Sequence, residues 1–431
     1  MKFGILGGGV TGLTAGWLLK QQGQDVTIFE KDEIPGGLCR SVEIDGYTFD
    51  VAGGHIIFSK DEEVMDFTRN LLGVETMVQS DRHTKIFYRG DWVKYPFENG
   101  LGDLPDADKF DCLKGYVEAH YARQNGAEQP DNFRDWVLWR FGEGIARCFM
   151  FPYNEKIWKI DLAELATSWV AGRVPDAPVD DVLRAAIGIS TEGYQHQAVF
   201  WYPEKGGFQA ITDRLAENVG DSLRCGTPVE QVRKTASGFE INGEAFDQVI
   251  NTIPLQECYR RLEGADPAAK EAAEKLVFRG LVSYMIGLDA EEQTNHSWIY
   301  LPHPENGPAN RITHLANYSS GNVPSGKSSI MAEVTYEGDP TIDQSKAMEV
   351  VDGLHNCGIL DKNKVEVLDW RKNHYAYIVF THDFAENRQK AIEGLENMGM
   401  KTVGRFGRYN YHNSDMCIRS AMDLVASLKP A

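Results

Sequence analysis

Three glycines near the start of the chain, Gly7, Gly9 and Gly12, have the G-x-G-x-x-G spacing that binds dinucleotides. Gly7 permits a tight turn, Gly9 lets backbone N–H groups approach a pyrophosphate, and Gly12 allows a helix to pack closely on a strand. The start of that helix offers partial positive charge and unpaired donors to the anion. Glu30 follows where its carboxylate can accept hydrogen bonds from a ribose. The chemistry predicted here is the binding of a dinucleotide cofactor.

The flanking sequence supplies the elements that must position these glycines. Residues 3–6 form an apolar run, and leucines with a tryptophan recur at helical spacing after Gly12. Gly23 ends the predicted helix, and Val-Thr-Ile-Phe at 26–29 predicts a second strand that leads into Glu30. The pattern therefore indicates a Rossmann-like strand–turn–helix–strand unit. The alternative is a structural turn that binds nothing.

A second set of glycines indicates which dinucleotide is bound. Residues 36–38 are Gly-Gly-Leu, and residues 53–55 are Gly-Gly-His. A glycine pair so soon after Glu30 resembles the flavoproteins with two dinucleotide-binding domains, in which this motif approaches FAD. NAD dehydrogenases lack this continuation, so the resemblance implies FAD. The alternative is that both glycine pairs are ordinary turns.

Composition limits the classes of function. The chain has 431 residues, 42% of them hydrophobic and 25% charged, which predicts two or three domains with a large core. A formal net charge of −19 argues against nucleic acid and anionic membranes as partners, because both require a basic face. Seven cysteines without a CxxC pair fit a reducing compartment. With no predicted signal peptide and no predicted membrane span, we expect a soluble, cytoplasmic protein.

The pattern along the chain predicts the α/β class, with a Rossmann-like FAD-binding domain of the GR2 type, an inserted helical domain and an antiparallel β-sheet substrate domain. Among the predicted elements are a helix at 162–169, a strand at 223–232, and separate strands at 365–370 and 376–380. The predicted domains are 1–80, 200–275 and 395–431 for FAD binding, 100–195 for the helical domain, and 81–99 with 276–394 for the sheet domain.

Several segments together narrow the family. Residues 149–158, Phe-Met-Phe-Pro-Tyr-Asn-Glu-Lys-Ile-Trp, resemble a stretch of the UDP-galactopyranose mutases, the eukaryotic type more than the bacterial type. Residues 169–174, Trp-Val-Ala-Gly-Arg-Val, follow at the spacing of that family. This series is much narrower than the FAD motifs, which many oxidases share. The other matching segments are 50–59, 95–97, 317–319 with Arg311, and 404–411.

The resemblance implies a role for each matching residue. Arg173 and Arg311 match the two arginines that hold the substrate diphosphate, and His55 matches the histidine beside the flavin ring, so these three are the predicted catalytic residues. Arginine forks suit phosphate oxygens, and tyrosine hydroxyls donate to the same anion. The implied substrate-binding residues are Tyr95 and Phe97 on the uridine side, Asn154 and Trp158 along the nucleotide, and Tyr300, Tyr377 and Tyr411 at the diphosphate. The predicted cofactor-binding residues are Gly7, Gly9, Val10, Thr11, Gly12, Glu30, Lys31, Gly37, Leu38, Gly53, Gly54, His55, Val229 and Arg405.

The chain also departs from the family pattern. Glu98 stands where the family commonly has glutamine after Tyr-Pro-Phe, and a carboxylate there would accept hydrogen bonds and repel an anion. Phe151 replaces an arginine that is common before Pro-Tyr-Asn. No metal site is predicted, because the histidines of the chain lack the spacing of metal ligands.

The resemblance implies a redox-neutral isomerase. Reduced FAD attacks the anomeric carbon of a UDP-sugar through its N5, expels UDP and carries the sugar as a covalent adduct until the ring recloses. We expect interconversion of the pyranose and furanose forms of UDP-galactose or a related sugar, in cell-surface polysaccharide biosynthesis. The predicted partners are the UDP-sugar, NAD(P)H or another reductant, and further copies of the chain in a number that the sequence leaves open.

Two other functions stay open at this point. An FAD-dependent oxidoreductase of the amine oxidase or protoporphyrinogen oxidase type would share the glycine motifs and Gly206-Gly207, but it does not require Arg173 and Arg311 together. A flavoprotein without turnover that binds a nucleotide sugar is the third candidate.

Overall fold

The computed structural model of the chain describes residues 1–171, 173–174, 178–189, 191 and 198–428. The predicted end of the helical domain at residue 195 and Gly172 of the segment 169–174 lie outside these described residues. The strands are β1 (Lys2–Leu6), β2 (Asp25–Phe29), β3 (Ser41–Ile44), β4 (Tyr47–Asp50), β5 (Met77–Asp81), β6 (Thr84–Tyr88), β7 (Asp91–Lys94), β8 (Val199–Pro203), β9 (Leu223–Arg224), β10 (Val232–Lys234), β11 (Phe239–Ile241), β12 (Glu244–Phe246), β13 (Gln248–Asn251), β14 (Leu262–Glu263), β15 (Phe278–Leu288), β16 (Trp298–Tyr300), β17 (Arg311–Thr313), β18 (Ser328–Tyr336), β19 (Val365–Ile378) and β20 (Lys401–Thr402). The helices are α1 (Val10–Gln21), α2 (Glu62–Leu72), α3 (Asp106–Gln124), α4 (Phe133–Ile145), α5 (Phe151–Trp158), α6 (Val179–Ala186), α7 (Gln209–Val219), α8 (Leu255–Arg261), α9 (Pro267–Glu274), α10 (Gln344–Asn356), α11 (Phe384–Asn397) and α12 (Ser414–Ser427).

A five-stranded parallel sheet carries the dinucleotide motif. Its strand order is β20-β13-β1-β2-β9, so the N-terminal strand lies at its centre. Phe3 pairs with Val26 on one side and with Gln248 on the other. Four of the five residues of β1 are buried, because α1, α7 and α12 pack together beside this sheet. This arrangement confirms the predicted α/β class and the strand–turn–helix–strand unit.

A second, seven-stranded sheet lies across the cavity from the parallel sheet. Its order is β19-β15-β18-β17-β16-β6-β7, and its neighbours are antiparallel except for the parallel pair β16 and β6. One face packs on α10 in an apolar core that includes Val350, Leu354 and Ile286. Because side chains alternate along a strand, the other face carries Tyr300, Arg311 and their neighbours toward the first sheet.

Three sequence-based predictions of elements are wrong. Residues 365–378 form one strand, not two, because β19 pairs along nearly all of β15 even where its own sequence is polar. Residues 162–169 contain only a 3-10 turn at Leu162–Glu164, since the carbonyl of Leu165 accepts from Phe133 and not from within a helix. The strand at 223–232 is split into β9 and β10 by Pro228, which cannot donate to a ladder. The predicted domain boundaries stay a prediction.

His296 makes the fold sensitive to acid. Its ring lies 5.2 Å from the ring of Trp92, and its Nδ1 is buried without a hydrogen-bond partner in the described structure. Burial, with His314 and Lys85 nearby, lowers the pKa of His296 from 6.5 to about 4. Between these two values the unfolded chain binds more protons than the folded chain, so stability is lost as the pH falls from 6.5 toward 4.

We therefore expect the His296→Gln variant to lose less thermal stability than the wild type between pH 7 and about pH 4.5. Melting temperatures recorded across that range measure the effect. His382→Gln, which changes an exposed histidine, is the matched control and keeps the wild-type pH slope. Equal slopes for His296→Gln and the wild type would contradict the assignment.

Candidate active site

A cavity of about 720 Å³ lies between the two large sheets. The glycine turn before α1 lines one part of it, and the ends of β16, β17 and β19 line another. His55, Arg173 and Arg311, the three predicted catalytic residues, all border this cavity. Segments that are far apart in the sequence therefore meet at one place.

The turn before α1 has the shape that a pyrophosphate requires. A Cβ placed on Gly9 would meet no atom within 4 Å, whereas a Cβ on Gly12 would lie 2.0 Å from the carbonyl oxygen of Gly7. Gly9 precedes the first turn of α1, and no side chain caps that turn. The first N–H groups of the helix thus keep their capacity to bind an anion.

Glu30 is held in the orientation that ribose recognition needs. The carboxylate is 7% exposed and accepts hydrogen bonds from the N–H groups of Gly8 at 2.8 Å and Asp32 at 2.9 Å. Lys31 also borders the cavity, but its ammonium pairs with Asp32 on the surface. The buried acid at the end of β2 fits a ribose hydroxyl, as the sequence predicts.

His55 is fixed beside the second glycine motif by a buried carboxylate. The backbone N–H of His55 donates to the carboxylate of Asp50 at 3.2 Å. This carboxylate also accepts from the hydroxyls of Ser41 and Tyr202 and from the backbone N–H of Phe208. The imidazole stacks on Phe208 with ring centres 5.0 Å apart, and its Nδ1 is buried without a partner in the described structure. Burial lowers the pKa of His55 to about 4, so the ring is neutral at pH 7.

Arg405 brings a positive charge to the same region without a carboxylate partner among the described residues. Its guanidinium donates to the carbonyl oxygens of His412 at 2.7 Å and Ala376 at 2.9 Å, and its Nε is buried and unpaired in the described structure. Burial lowers the pKa of His412 to about 4, and Arg173 and Arg405 add to this shift. The surroundings therefore favour an anionic ligand.

Arg311 lies in a buried, bidentate ion pair. Its Nε and Nη2 donate to Glu333 at 2.7 and 2.9 Å, and Tyr377 donates its hydroxyl to the same carboxylate at 3.2 Å. Burial alone would lower the pKa of Arg311, but Glu333 raises it well above its ordinary value, so the guanidinium stays charged. A Cβ on Gly53 would lie 3.1 Å from Nη2 of Arg311, which places the second glycine motif against this pair.

Arg173 lies between α5 and α6 in the sequence and borders the cavity. Its guanidinium donates to the carbonyl oxygen of Tyr411 and lies 4.6 Å from the centre of that ring. Arg405 lies 4.5 Å from the centre of the same ring. The guanidinium groups of Arg173 and Arg405 thus both lie against the ring of Tyr411.

Most of the predicted site residues line the cavity, and a few lie behind its wall. Phe97 stacks on Phe149 with ring centres 5.2 Å apart, and Trp158 donates to Asn154 at 2.9 Å. The carbonyl of Val229 accepts from Arg261 away from the cavity. The predicted residues that line the cavity are Gly7, Gly9, Val10, Thr11, Glu30, Lys31, Gly37, Leu38, Gly54, His55, Tyr95, Arg173, Tyr300, Arg311, Tyr377, Arg405 and Tyr411; those that do not are Gly12, Gly53, Phe97, Asn154, Trp158 and Val229.

Sequence reasoning missed several charged residues of the site, and Arg82 and Glu333 are two of them. Arg82 borders the cavity, and its guanidinium lies 4.9 and 4.7 Å from the ring centres of Tyr95 and Trp298. Glu333 holds Arg311 and is fully buried. An acidic residue in the middle of the apolar strand β18 is a signal for a buried partner, and it could have revealed Glu333.

Glu98 does not line the cavity. Its carboxyl group is 4% exposed behind the wall, and its Oε1 has no hydrogen-bond partner among the described residues. Burial raises the pKa of Glu98 to about 7, so the group carries a full negative charge only above neutral pH. The repulsion of a bound anion that the sequence suggests is weakened on both counts.

Comparison with known proteins identifies the family. A profile of flavin containing amine oxidoreductases matches residues 10–403, so the chain belongs to this family. The match confirms the FAD cofactor that the glycine motifs predict, and the open turn at Gly9, the oriented Glu30 and the unpaired Nε of Arg405 fit that cofactor.

Individual relatives differ in what they do. A crystal structure of reduced UDP-galactopyranose mutase is 28% identical with a TM-score of 0.89, and the match covers 100% of this chain and 96% of that one. A protein of Exiguobacterium sp. 255-15 assigned provisionally as a protoporphyrinogen oxidase is 17% identical with a TM-score of 0.76 over 99% and 98% of the two chains, which shows the fold alone. In sequence, the zeta-carotene-forming phytoene desaturase of Myxococcus xanthus is 31% identical over 63% of this chain and only 57% of its own length. The resemblance to the mutase family that the sequence analysis draws is confirmed.

The described residues contain neither a metal-ligand cluster nor a membrane-spanning helix. No group of three or more His, Cys, Asp or Glu side chains in this part of the chain is arranged to hold a metal ion. No helix within the described ranges is long and apolar enough to cross a membrane.

The contrast between Gly9 and Gly12 gives a test of the cofactor site. We expect Gly9→Ala to fold with the thermal stability of the wild-type apoprotein but to bind FAD at least about tenfold more weakly, because the methyl group fills the approach of the pyrophosphate. Gly12→Ala should instead fold poorly, since its methyl group meets the Gly7 carbonyl. Flavin absorbance after gel filtration and apoprotein melting curves measure both effects. Wild-type flavin content in Gly9→Ala would contradict the placement.

Proposed function

We propose that this protein is a flavin-dependent nucleotide-sugar mutase that interconverts the pyranose and furanose forms of UDP-galactose or a related UDP-sugar. The observation that carries the proposal is that Arg173 and Arg311 border one cavity together with His55 of the flavin motif. A diphosphate leaving group needs such a clamp, whereas an amine or a polyene does not. The likeness to reduced UDP-galactopyranose mutase along the whole chain supports the same function.

The charges of the cavity suit a diphosphate. Arg405 donates to carbonyl oxygens, which do not neutralise its positive charge, and Arg311 remains charged beside Glu333. Hydrogen bonds to charged groups contribute about 1.5–3 kcal/mol each. Several such donors together can hold a dianion although the chain as a whole is acidic.

The residues of the chain have defined tasks in this reaction. Bound reduced FAD supplies the nucleophile. The arginines and the hydroxyl of Tyr300 bind the diphosphate and stabilise the negative charge that develops on it as the bond to the sugar breaks, while the hydroxyl of Tyr377 donates to Glu333. Glu333 fixes the guanidinium plane of Arg311, so that this donor does not have to be ordered during the reaction. His55 is neutral and adds no charge next to the flavin ring.

The second candidate is an FAD-dependent oxidoreductase. It is favoured by family membership and by the relative from Myxococcus xanthus, whose name describes a desaturase. Arg405 argues against a polyene substrate, because an apolar chain would exclude water from its guanidinium without offering an acceptor.

One assay separates these functions. The flavin is reduced with dithionite, UDP-galactopyranose or UDP-galactofuranose is added without oxygen, and the products are separated by chromatography. We expect interconversion with reduced enzyme and none with oxidised enzyme, because only the reduced ring is nucleophilic. The oxidised enzyme with the same substrates is the control. Binding of the UDP-sugar without conversion, or consumption of oxygen with an amine or porphyrinogen substrate, would contradict the proposal.

A further inference from the structure

Two buried cations outside the cavity, one on α5 and one on β15, lie between α5 and the seven-stranded sheet. Lys156 is 8% exposed and Arg279 is 3% exposed, and neither borders the cavity. Both donate to main-chain carbonyl oxygens, and Arg279 also lies 3.4 Å from the exposed carboxylate of Glu337. Buried cations without a buried acid are rare, so the place of these two requires a reason.

Lys156 joins α5 to the sheet at two points. Its ammonium donates to the carbonyl oxygens of Leu301 at 2.9 Å and His303 at 3.1 Å, which directly follow β16. The carbonyl oxygen of Lys156 accepts from the hydroxyl of Thr335 on β18 at 3.1 Å. The middle of the helix is thus tied to the strand end that carries Tyr300.

Arg279 ties the end of the same helix. Its Nε and Nη2 donate to the carbonyl oxygens of Trp158 at 2.6 Å and Lys159 at 3.0 Å, which are free of helix partners at a C-terminus. In the ladder between β15 and β19, Arg279 lies opposite Tyr377. The capping arginine and a cavity-lining tyrosine are therefore neighbours on the sheet.

Aromatic rings of α5 pack against tyrosines that border the cavity. Tyr153 meets Tyr300 edge to face, with ring centres 5.2 Å apart. Trp158 meets Tyr377 in the same way at 6.2 Å, and its ring centre lies 6.4 Å from that of Tyr411. A shift of α5 would therefore move or loosen Tyr300, Tyr377 and Tyr411, which border the cavity.

The cost of burying Lys156 supports a positioning role. No carboxylate among the described residues lies within ion-pair distance of its ammonium, so its burial is not repaid by charge neutralisation. Burial lowers its pKa to about 7, Lys159 adds to the shift, and Cys357 and Glu305 oppose it. A methionine would fill the same space at lower cost, but it could not hold two carbonyl oxygens at fixed distances.

We propose that Lys156 is a positioning residue for the nucleotide-sugar site: by joining α5 to the end of β16 it holds Tyr153 and Trp158 against Tyr300 and Tyr377. The inference rests on the proposed function only in its choice of ligand. The packing of α5 on the sheet by Lys156 does not depend on which reaction the protein catalyses.

The test compares Lys156→Met with Lys159→Met in the FAD-loaded protein. Lys159 is the first residue after α5 and its side chain is exposed, so Lys159→Met is the matched control. Hydrogen exchange measured by mass spectrometry is expected to rise in residues 151–158 and 299–303 of Lys156→Met, both without ligand and with UDP. The dissociation constant of UDP is expected to rise by about tenfold, which is the size of one lost hydrogen bond to a charged group. Lys159→Met should behave as the wild type in both measurements.

Unchanged exchange in both segments together with wild-type UDP affinity in Lys156→Met would overturn the inference. If that variant does not fold, Thr335→Val decides, because it removes a second tie of α5 without a change of charge. Faster exchange at 151–158 in Thr335→Val supports the inference, and wild-type exchange overturns it. If the wild type does not bind UDP, the proposed function fails, and the exchange experiment still decides the positioning role.

Discussion

An acidic chain that binds a dinucleotide has to gather positive charge locally. The formal net charge is −19, yet the cavity must hold the pyrophosphate of FAD and, in the proposed reaction, that of a UDP-sugar. The first anion is met by the start of α1, where Gly9 leaves the backbone N–H groups accessible. For the second, the proposed site has Arg405, whose guanidinium donates to two carbonyl oxygens that orient it without cancelling its charge.

Arg311 shows how the fold handles a guanidinium beside a fully buried carboxylate. It is paired with Glu333, because the charge of Glu333, so far from water, is costly without a partner. The pair is held from three sides, by Tyr377 on β19, by Gly53 of the flavin motif and by the ladder of β17 with β18. Cofactor motif and substrate clamp therefore share one buried interaction, so a change in either would be felt by the other.

The sequence predicts what is decided locally. These features depend on a few neighbouring residues, and the structure contains each of them: the turn at Gly7–Gly12, the acidic residue Glu30 at the end of β2, and the glycine pair Gly53-Gly54. Family resemblance places Arg173, Arg311 and three tyrosines at the cavity. It does not tell whether a side chain reaches the cavity or supports one that does, and Phe97, Asn154 and Trp158 belong to the second kind. Glu333 and the continuous strand β19 depend on partners distant in the sequence, which periodicity does not reveal.

The central claim is that Arg173 and Arg311 jointly hold the diphosphate of a sugar nucleotide. The most direct measurement is the dissociation constant of UDP for the reduced, FAD-loaded protein and for Arg173→Ala and Arg311→Ala, with Arg214→Ala, a change at an exposed arginine, as control. We expect each cavity variant, once loaded with FAD, to bind UDP at least about tenfold more weakly, while the control binds as the wild type does. Wild-type affinity in both cavity variants would contradict the claim.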